Sequence, residues 1–285
     1  MENRNNAISI SSRPETLLEA RATLHRVAHQ GCHVCWRQLG DGPPLVLLHG
    51  GHGSWLHWVR NIEALAGRFT VWVPDMPGYG DSDTPPEPTL KSLVDITMAT
   101  LNQLVGDTAR IRLAGFSFGG LVGAHLAAQR GRVHRLALLG PGGHGGQRRP
   151  SGELLSWRSA ADSGDANALA GVMRHNLAAH MLHDPARIDA LAVQVHTAAC
   201  LNTRFYSKAI SRSATLAGAL DQCHAPILLA WGEHDVTAQP EAIGRTLSAG
   251  RANCRTHVVA DAGHWAQFEQ PDAVHHLLLD WLGSD

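Results

Sequence analysis

Charge of one sign, long apolar runs and cysteine are all in short supply in this chain, and each shortage excludes something. Lys and Arg number 24 against 25 Asp and Glu, for a net charge of -1. There is thus no electrostatic footprint for nucleic acid or an anionic membrane surface. No apolar run approaches the roughly 18 residues of a membrane span, and the N-terminus lacks the apolar core of a secretory signal. The expectation is a cytoplasmic protein with no membrane and no nucleic-acid partner. Cysteine appears 5 times, an odd and scattered set that makes no disulfide framework. Cys32 and Cys35 form a lone C-x-x-C in a segment that reads as a strand, where positions three apart face opposite ways. Two ordinary thiols are the reading.

What is present is an ordinary globular composition, 44% apolar over 285 residues, enough for one α/β domain with an insertion. Histidine is the oddity, 19 copies against 5 Phe and 2 Tyr.

Residues 1–20 are polar and aperiodic and read as a loose extension. Short apolar strands are expected at 22–29, 32–39, 45–48, 69–73, 111–114 and 133–139, with helices at 55–66, 90–105 and directly after Ser117. The alternation breaks after Gly140-Pro141-Gly142-Gly143 and resumes with strands at 226–231 and 255–260 and helices at 241–248 and 266–282. Between them, stretches such as 167–183 read as helix. The expected fold is α/β, a mostly parallel sheet flanked by helices. Its core runs through 21–143 and 221–285, and 144–220 forms a helical cap.

Gly115-Phe116-Ser117-Phe118-Gly119 fits G-x-S-x-G between an apolar strand and a helix. A nucleophile in that context sits on a strained turn, and the flanking glycines remove Cβ atoms that would collide. A serine hydroxyl needs a base, and the base needs an orienting carboxylate. Asp235 and His264 each follow a predicted strand, at the same sheet edge as Ser117. Glu233 and Asp261 are rival acids, and His234 and His257 rival bases. Acyl transfer also needs oxyanion donors. The N–H after the nucleophile, on Phe118, is one; the loop His49-Gly50-Gly51-His52-Gly53 offers the other, nominally Gly51. No nucleotide-binding glycine pattern can be written through that loop. Gly50, His52, Phe116 and Trp265 are candidate substrate contacts, the aromatic ones weighed evenly against core packing.

With these residues in place, the chain resembles the α/β-hydrolase superfamily over essentially everything after residue 20. The resemblance rests on Leu48-His49-Gly50-Gly51, on Asp75-Met76-Pro77-Gly78-Tyr79-Gly80-Asp81-Ser82, on the turn at Ser117, on Gly232-Glu233-His234-Asp235 and on Gly263-His264. It implies a Ser117, Asp235, His264 triad in that chain order and no cofactor. Relatives with an aspartate nucleophile are disfavoured by Ser117 itself, and the epoxide-hydrolase H-G-x-P is broken by His52. Residues 264–269 and 139–143 look like the carbon-carbon hydrolases of aromatic ring cleavage, which act on vinylogous diketone acids. Such enzymes carry Asn before the nucleophile, where Phe116 stands here, and an Arg in the cap near 190–199, where only Gln194 and His196 are found. Arg187 and Arg204 lie at its edges. A small ester or lactone is therefore the first expectation, a 2-hydroxy-6-oxo-dienoate the second, and a non-catalytic small-ligand receptor the alternative of another class. The near-zero net charge suits an uncharged or weakly charged small molecule. A homodimer stays open.

The histidines raise metal binding, with His49, His52 and His57 as one group and His175, His180 and His183 as another. Neither has H-E-x-x-H or zinc-like spacing. The expectation is no metal, with His49 bracing the turn and most of the others partly exposed. Trp157, Met173, Met181, Phe205 and Tyr206 are candidate cap residues for the pocket wall.

Overall fold

A computed structural model of the protein describes residues 14–284. Eight strands form one sheet: β1 (Thr23–His29), β2 (Cys32–Leu39), β3 (Pro44–Leu48), β4 (Thr70–Asp75), β5 (Ile111–Phe116), β6 (Val133–Leu139), β7 (Ile227–Gly232) and β8 (Cys254–Val259). Their spatial order is β1-β2-β4-β3-β5-β6-β7-β8. β2 runs antiparallel to both β1 and β4, and every other pairing is parallel.

The helices are α1 (Pro14–Arg21), α2 (Ile62–Ala66), α3 (Leu90–Val105), α4 (Phe118–Arg130), α5 (Arg158–Asp162), α6 (Ala166–His180), α7 (Ala190–Leu201), α8 (Lys208–Ser211), α9 (Leu216–Asp221), α10 (Pro240–Ser248), α11 (Ala266–Glu269) and α12 (Pro271–Gly283). Strand alternation sorts the apolar residues into two layers. Leu45, Leu47, Phe116, Leu228 and Ala230 face α2 and α12, whereas Val46, Leu48, Leu113, Leu229 and Trp231 face α3, α4, α9 and α10. β3 and β7 thus have both faces covered, which is why they read as continuous apolar runs. Fully burying one such Leu or Val stabilises the fold by about 1.5–3 kcal/mol.

Three expectations need correction. The segment 14–20 is not a loose extension: α1 is helical and buries Leu18, and the earlier part, 1–13, lies outside the described residues. The helix expected over 55–66 is a 3₁₀ turn at Trp55–Trp58 followed by the five-residue α2. Ser54 caps that turn from its side chain, and the indoles of Trp55 and Trp58 are both buried. The closing helix breaks into α11 and α12 at Gln270-Pro271, as a proline without an N–H demands.

Between β6 and β7 no strand occurs among the described residues, only α5 to α9 and a 3₁₀ turn at Pro185–Arg187. α6 and α7 pack on each other, and α9 packs on α4 beneath the sheet edge. Cys32 and Cys35 are buried and unpaired, and burial raises both thiol pKa values, that of Cys32 to about 11.

Candidate active site

The C-terminal ends of β5, β7 and β8 bring three side chains to one rim. Ser117 occupies the turn between β5 and α4 with φ 53° and ψ -116°, a strained backbone for a residue with a Cβ. The turn persists because both sides are pinned. Its N–H donates to the Leu139 carbonyl and its own carbonyl accepts from the Gly120 and Gly142 N–H groups. The flanking glycines have a steric reason. A Cβ at position 115 would lie 2.4 Å from the Gly119 carbonyl oxygen, and one at 119 would lie 2.3 Å from that of His49.

His264 Nε2 lies 2.9 Å from Ser117 Oγ, and its Nδ1 lies 2.9 Å from Asp235 Oδ2. With Nδ1–H donating to the carboxylate, Nε2 is the acceptor for the serine proton. Asp235 is fully buried. Burial alone would raise its carboxyl pKa, but the neighbouring imidazole and two bonds from Thr237 outweigh it and hold the pKa below the usual carboxylate value. The Thr237 N–H and hydroxyl both donate to Oδ1 at 2.7 Å, and the hydroxyl oxygen lies 3.2 Å from His264 Nδ1. Thr237 escaped sequence reasoning. Its only signal is a hydroxyl residue two positions after an acid in a strand-end turn.

The rivals lie elsewhere. Glu233 is exposed and accepts from the Asp261 N–H, and His257 is exposed on β8. The His234 ring stacks on His183 at 3.5 Å between centroids. Glu233, His234 and Asp261 bring ligand-type atoms within 4.8 Å of one another at the surface, and none of the three lines the cavity.

Ser117 and His264 open on a cavity of about 430 Å³. Gly51, His52 and Phe116 form part of its wall. Phe118 starts α4 with its side chain buried, and its N–H belongs to the first helical turn, where no carbonyl within the helix can accept it. Two expected contacts are not in the wall. Gly50 sits behind it, donating its N–H to His57 Nδ1. Trp265 is a core residue: its indole N–H donates to the His57 carbonyl and its ring stacks on Phe268 at 4.2 Å. Of the insertion aromatics and methionines, Trp157 and Met181 line the cavity, whereas Met173 is buried between helices. Phe205 packs on Tyr79 and Phe118, and Tyr206 is exposed near His52.

Most of the histidines are partly or fully exposed, as expected, but His49, His57, His196 and His264 are buried. His49 is buried, donating from Nδ1 to the Gly50 carbonyl and accepting the Met76 N–H at Nε2, so it does brace the loop. His57 is buried with Nε2 unpartnered. His52, His144, His180 and His196 line the cavity. Burial lowers the pKa of His180 and of His196 to about 4, so both are neutral at physiological pH. His196 is buried on α7 with its Nδ1 unpartnered, and its Nε2 lies 3.7 Å from the Cys200 thiol.

The insertion side of the wall is basic. Arg148, Arg158, Lys208 and Arg212 line the cavity, and no Asp or Glu does. None of the four makes an ion pair among the described residues. Burial and the neighbouring Arg212 both disfavour the charged form of Arg148. Sequence reasoning looked for a cation near 190–199 and missed these, because they lie on loops and short helices on either side of α6 and α7.

A model of the α/β hydrolase fold matches residues 43–271. The chain belongs to the α/β hydrolase fold family. It is 31% identical to the 2-hydroxy-6-oxononadienedioate/2-hydroxy-6-oxononatrienedioate hydrolase of Cupriavidus pinatubonensis, over 84% of this chain and 86% of that one. Among solved structures, carboxylesterase CesB of Bacillus subtilis superposes with a TM-score of 0.75 at 21% identity, covering 95% of each chain. The enol-lactonase of Burkholderia xenovorans LB400 gives 0.72 at 24%, covering 91% of this chain and all of that one. At these identities the structural likeness speaks for the fold. This α/β hydrolase is an enzyme, and no helix among its described residues is long and apolar enough to cross a membrane.

Proposed function

We propose that this α/β hydrolase cleaves a small carbonyl compound bearing a carboxylate, with Ser117 as nucleophile, His264 as base and acid, and Asp235 as orienting carboxylate. The observation that carries the reading is the unbroken chain from Ser117 Oγ through both His264 nitrogens to Asp235 at the floor of a cavity with an unpaired basic wall. His264 Nε2 takes the serine proton as Oγ attacks the carbonyl carbon, and Asp235 stabilises the imidazolium. The oxyanion accepts from the Phe118 and Gly51 N–H groups. Collapse breaks the bond to the leaving group, which takes the proton from His264. Water, deprotonated by His264, then releases the acid and restores Ser117. Residues 144–220, as the cap, carry the recognition.

The basic wall reverses the expectation of an uncharged substrate. Arg148, Arg158, Lys208 and Arg212 have no ion-paired carboxylate among the described residues, and a substrate carboxylate supplies one. This answers the missing cap Arg, whereas Phe116 still stands where such enzymes carry Asn. Carbon-carbon cleavage of a 2-hydroxy-6-oxo-dienoate therefore becomes the first reading, supported also by the relative that spans nearly the whole chain. An ester or lactone carrying a carboxylate is the second, favoured by the apolar Phe116 beside the nucleophile.

One panel decides the bond: a 2-hydroxy-6-oxo-dienoate against p-nitrophenyl monoesters of dicarboxylic acids and their neutral methyl-capped counterparts. Fast loss of the dienoate chromophore with slow ester turnover supports the first reading. Fast monoester turnover with an inert dienoate supports the second. Equal turnover of charged and neutral esters, with the dienoate inert, contradicts the carboxylate claim. Turnover of none, with no labelling of Ser117 by a fluorophosphonate, would favour the receptor.

A further inference from the structure

The acyl-transfer reading gives the sheet side two backbone donors for the oxyanion. We propose that the insertion supplies a third: the hydroxyl of Ser207, held by the buried hydroxyl of Tyr79, donates to the oxyanion beside Gly51. The inference rests on Ser117 being the nucleophile.

Placement comes first. Ser207 is 4% exposed and lines the cavity just before α8. An ideal Cβ on Gly51 would lie 2.4 Å from Ser207 Oγ and 3.7 Å from the Phe118 side chain. One on Gly50 would lie 3.2 Å from the Ser117 Cβ. The Ser207 oxygen, the two nominal oxyanion donors and the nucleophile therefore share one corner. The same contact explains why position 51 is glycine, since any side chain would displace the hydroxyl.

Orientation comes second. Ser207 stands at the N-cap of α8, yet its side chain makes no capping bond there. Its hydroxyl is free of the use such a serine usually has. Tyr79 faces it. That phenol is fully buried, has Ser207 as its side-chain neighbour, and makes no well-formed hydrogen bond to any described residue. Its ring is fixed edge-on against His49 and packed by Phe118 and Phe205. Burial raises the phenol pKa, so it stays a donor. In the proposed arrangement Tyr79 O–H turns to donate to Ser207 Oγ, a bond not formed in this structure, and the Ser207 hydrogen is left for the cavity. The backbone is tethered too: the Arg204 and Phe205 N–H groups both donate to the Gly78 carbonyl, and Ser211 N–H donates to that of Ser207. A donor fixed before the reaction stabilises charge that develops in the transition state without reorganising.

The test is kinetic, on whichever compound of the panel above is turned over. Ser207→Ala lowers kcat roughly 10- to 100-fold, with KM unchanged within about twofold. Tyr79→Phe gives a smaller drop and Ser207→Thr restores most of the rate. A trifluoromethyl ketone, whose adduct carries the oxyanion, loses affinity for Ser207→Ala by the same factor as kcat, while a non-reacting dicarboxylate inhibitor keeps its affinity. A merely structural role would weaken both inhibitors together. Ser207→Cys, close in size and a weak donor, gives the same kcat loss if the alanine variant does not fold. An unchanged kcat in Ser207→Ala or Ser207→Cys, or equal losses for the two inhibitors, overturns the proposal. Retained turnover in Ser117→Ala would instead overturn the reading beneath it.

Discussion

The cavity wall carried by the sheet and the wall carried by the insertion differ in charge, in exposure and in how their polar atoms are satisfied. On the sheet side, Asp235 is fully buried, every oxygen of its carboxylate is used, and both nitrogens of His264 have partners. Neutral rings and glycines surround them. On the insertion side, Arg158, Lys208 and Arg212 are exposed and Arg148 half-buried, with no carboxylate against any of them among the described residues. A saturated network fixes geometry, as bond making requires. Unpaired cations keep their binding capacity for a ligand. On the proposed function, the difference gives the triad to the sheet and carboxylate binding to the basic residues of the insertion.

Substitutions on the sheet side should break that division most violently. Ser117→Ala is expected to lower kcat at least roughly 10⁴-fold, measured on the substrate identified by the panel, with the dicarboxylate inhibitor still bound. Asp235→Asn should cost roughly 10³- to 10⁴-fold, because the amide supports the wrong imidazole tautomer. Thr237→Val removes one of the two donors to Asp235 Oδ1 and should cost about tenfold, since the backbone N–H remains.

On the insertion side the change should be in binding. Arg148→Gln combined with Arg212→Gln should raise KM about 10- to 100-fold for a carboxylate-bearing substrate and leave kcat nearly unchanged. The neutral counterpart should be indifferent. In the wild type, KM for the charged substrate should rise with salt, as these groups are partly screened. A kcat loss equal on both substrates would blur the two walls into one.

How much of this was legible follows from which signals are local. The turn at Ser117 was visible because Gly115 and Gly119 must lack a Cβ, and a steric demand leaves its mark in the residue type. Asp235 and His264 were visible because strand ends converge on one sheet edge whatever the loops do. The breaks in the helix at 55–66 were not, since the turn at Trp55–Trp58 is set by where two indoles are buried. Trp265 illustrates the same limit: beside His264 in sequence, it turns into the core because His57 and Phe268 hold it there. The basic wall was hidden because its members are spread from Arg148 to Arg212, and a net charge of -1 says nothing about where charge gathers. Five histidines, His52, His144, His180, His196 and His264, line the cavity, and the rest of the excess lies elsewhere.

A further expected effect is on stability rather than on rate. His180 and His196 have folded-state pKa values of about 4, lowered by burial, against about 6.5 in an unfolded chain. Between those values the unfolded state binds more protons, so stability is full above roughly pH 6.5 and falls as pH drops toward 4. His196→Leu should flatten this decline by on the order of 3 kcal/mol, read from urea unfolding at pH 4 against pH 7. An unaltered slope would mean that His196 is not held neutral.

The most direct test of the division is the rate at which a neutral fluorophosphonate labels the protein, followed by intact mass. One adduct should form at Ser117 at the same rate in the wild type and in Arg148→Gln/Arg212→Gln, and none in Ser117→Ala. Labelling that survives the loss of Ser117, or that collapses with the two arginines, would contradict it.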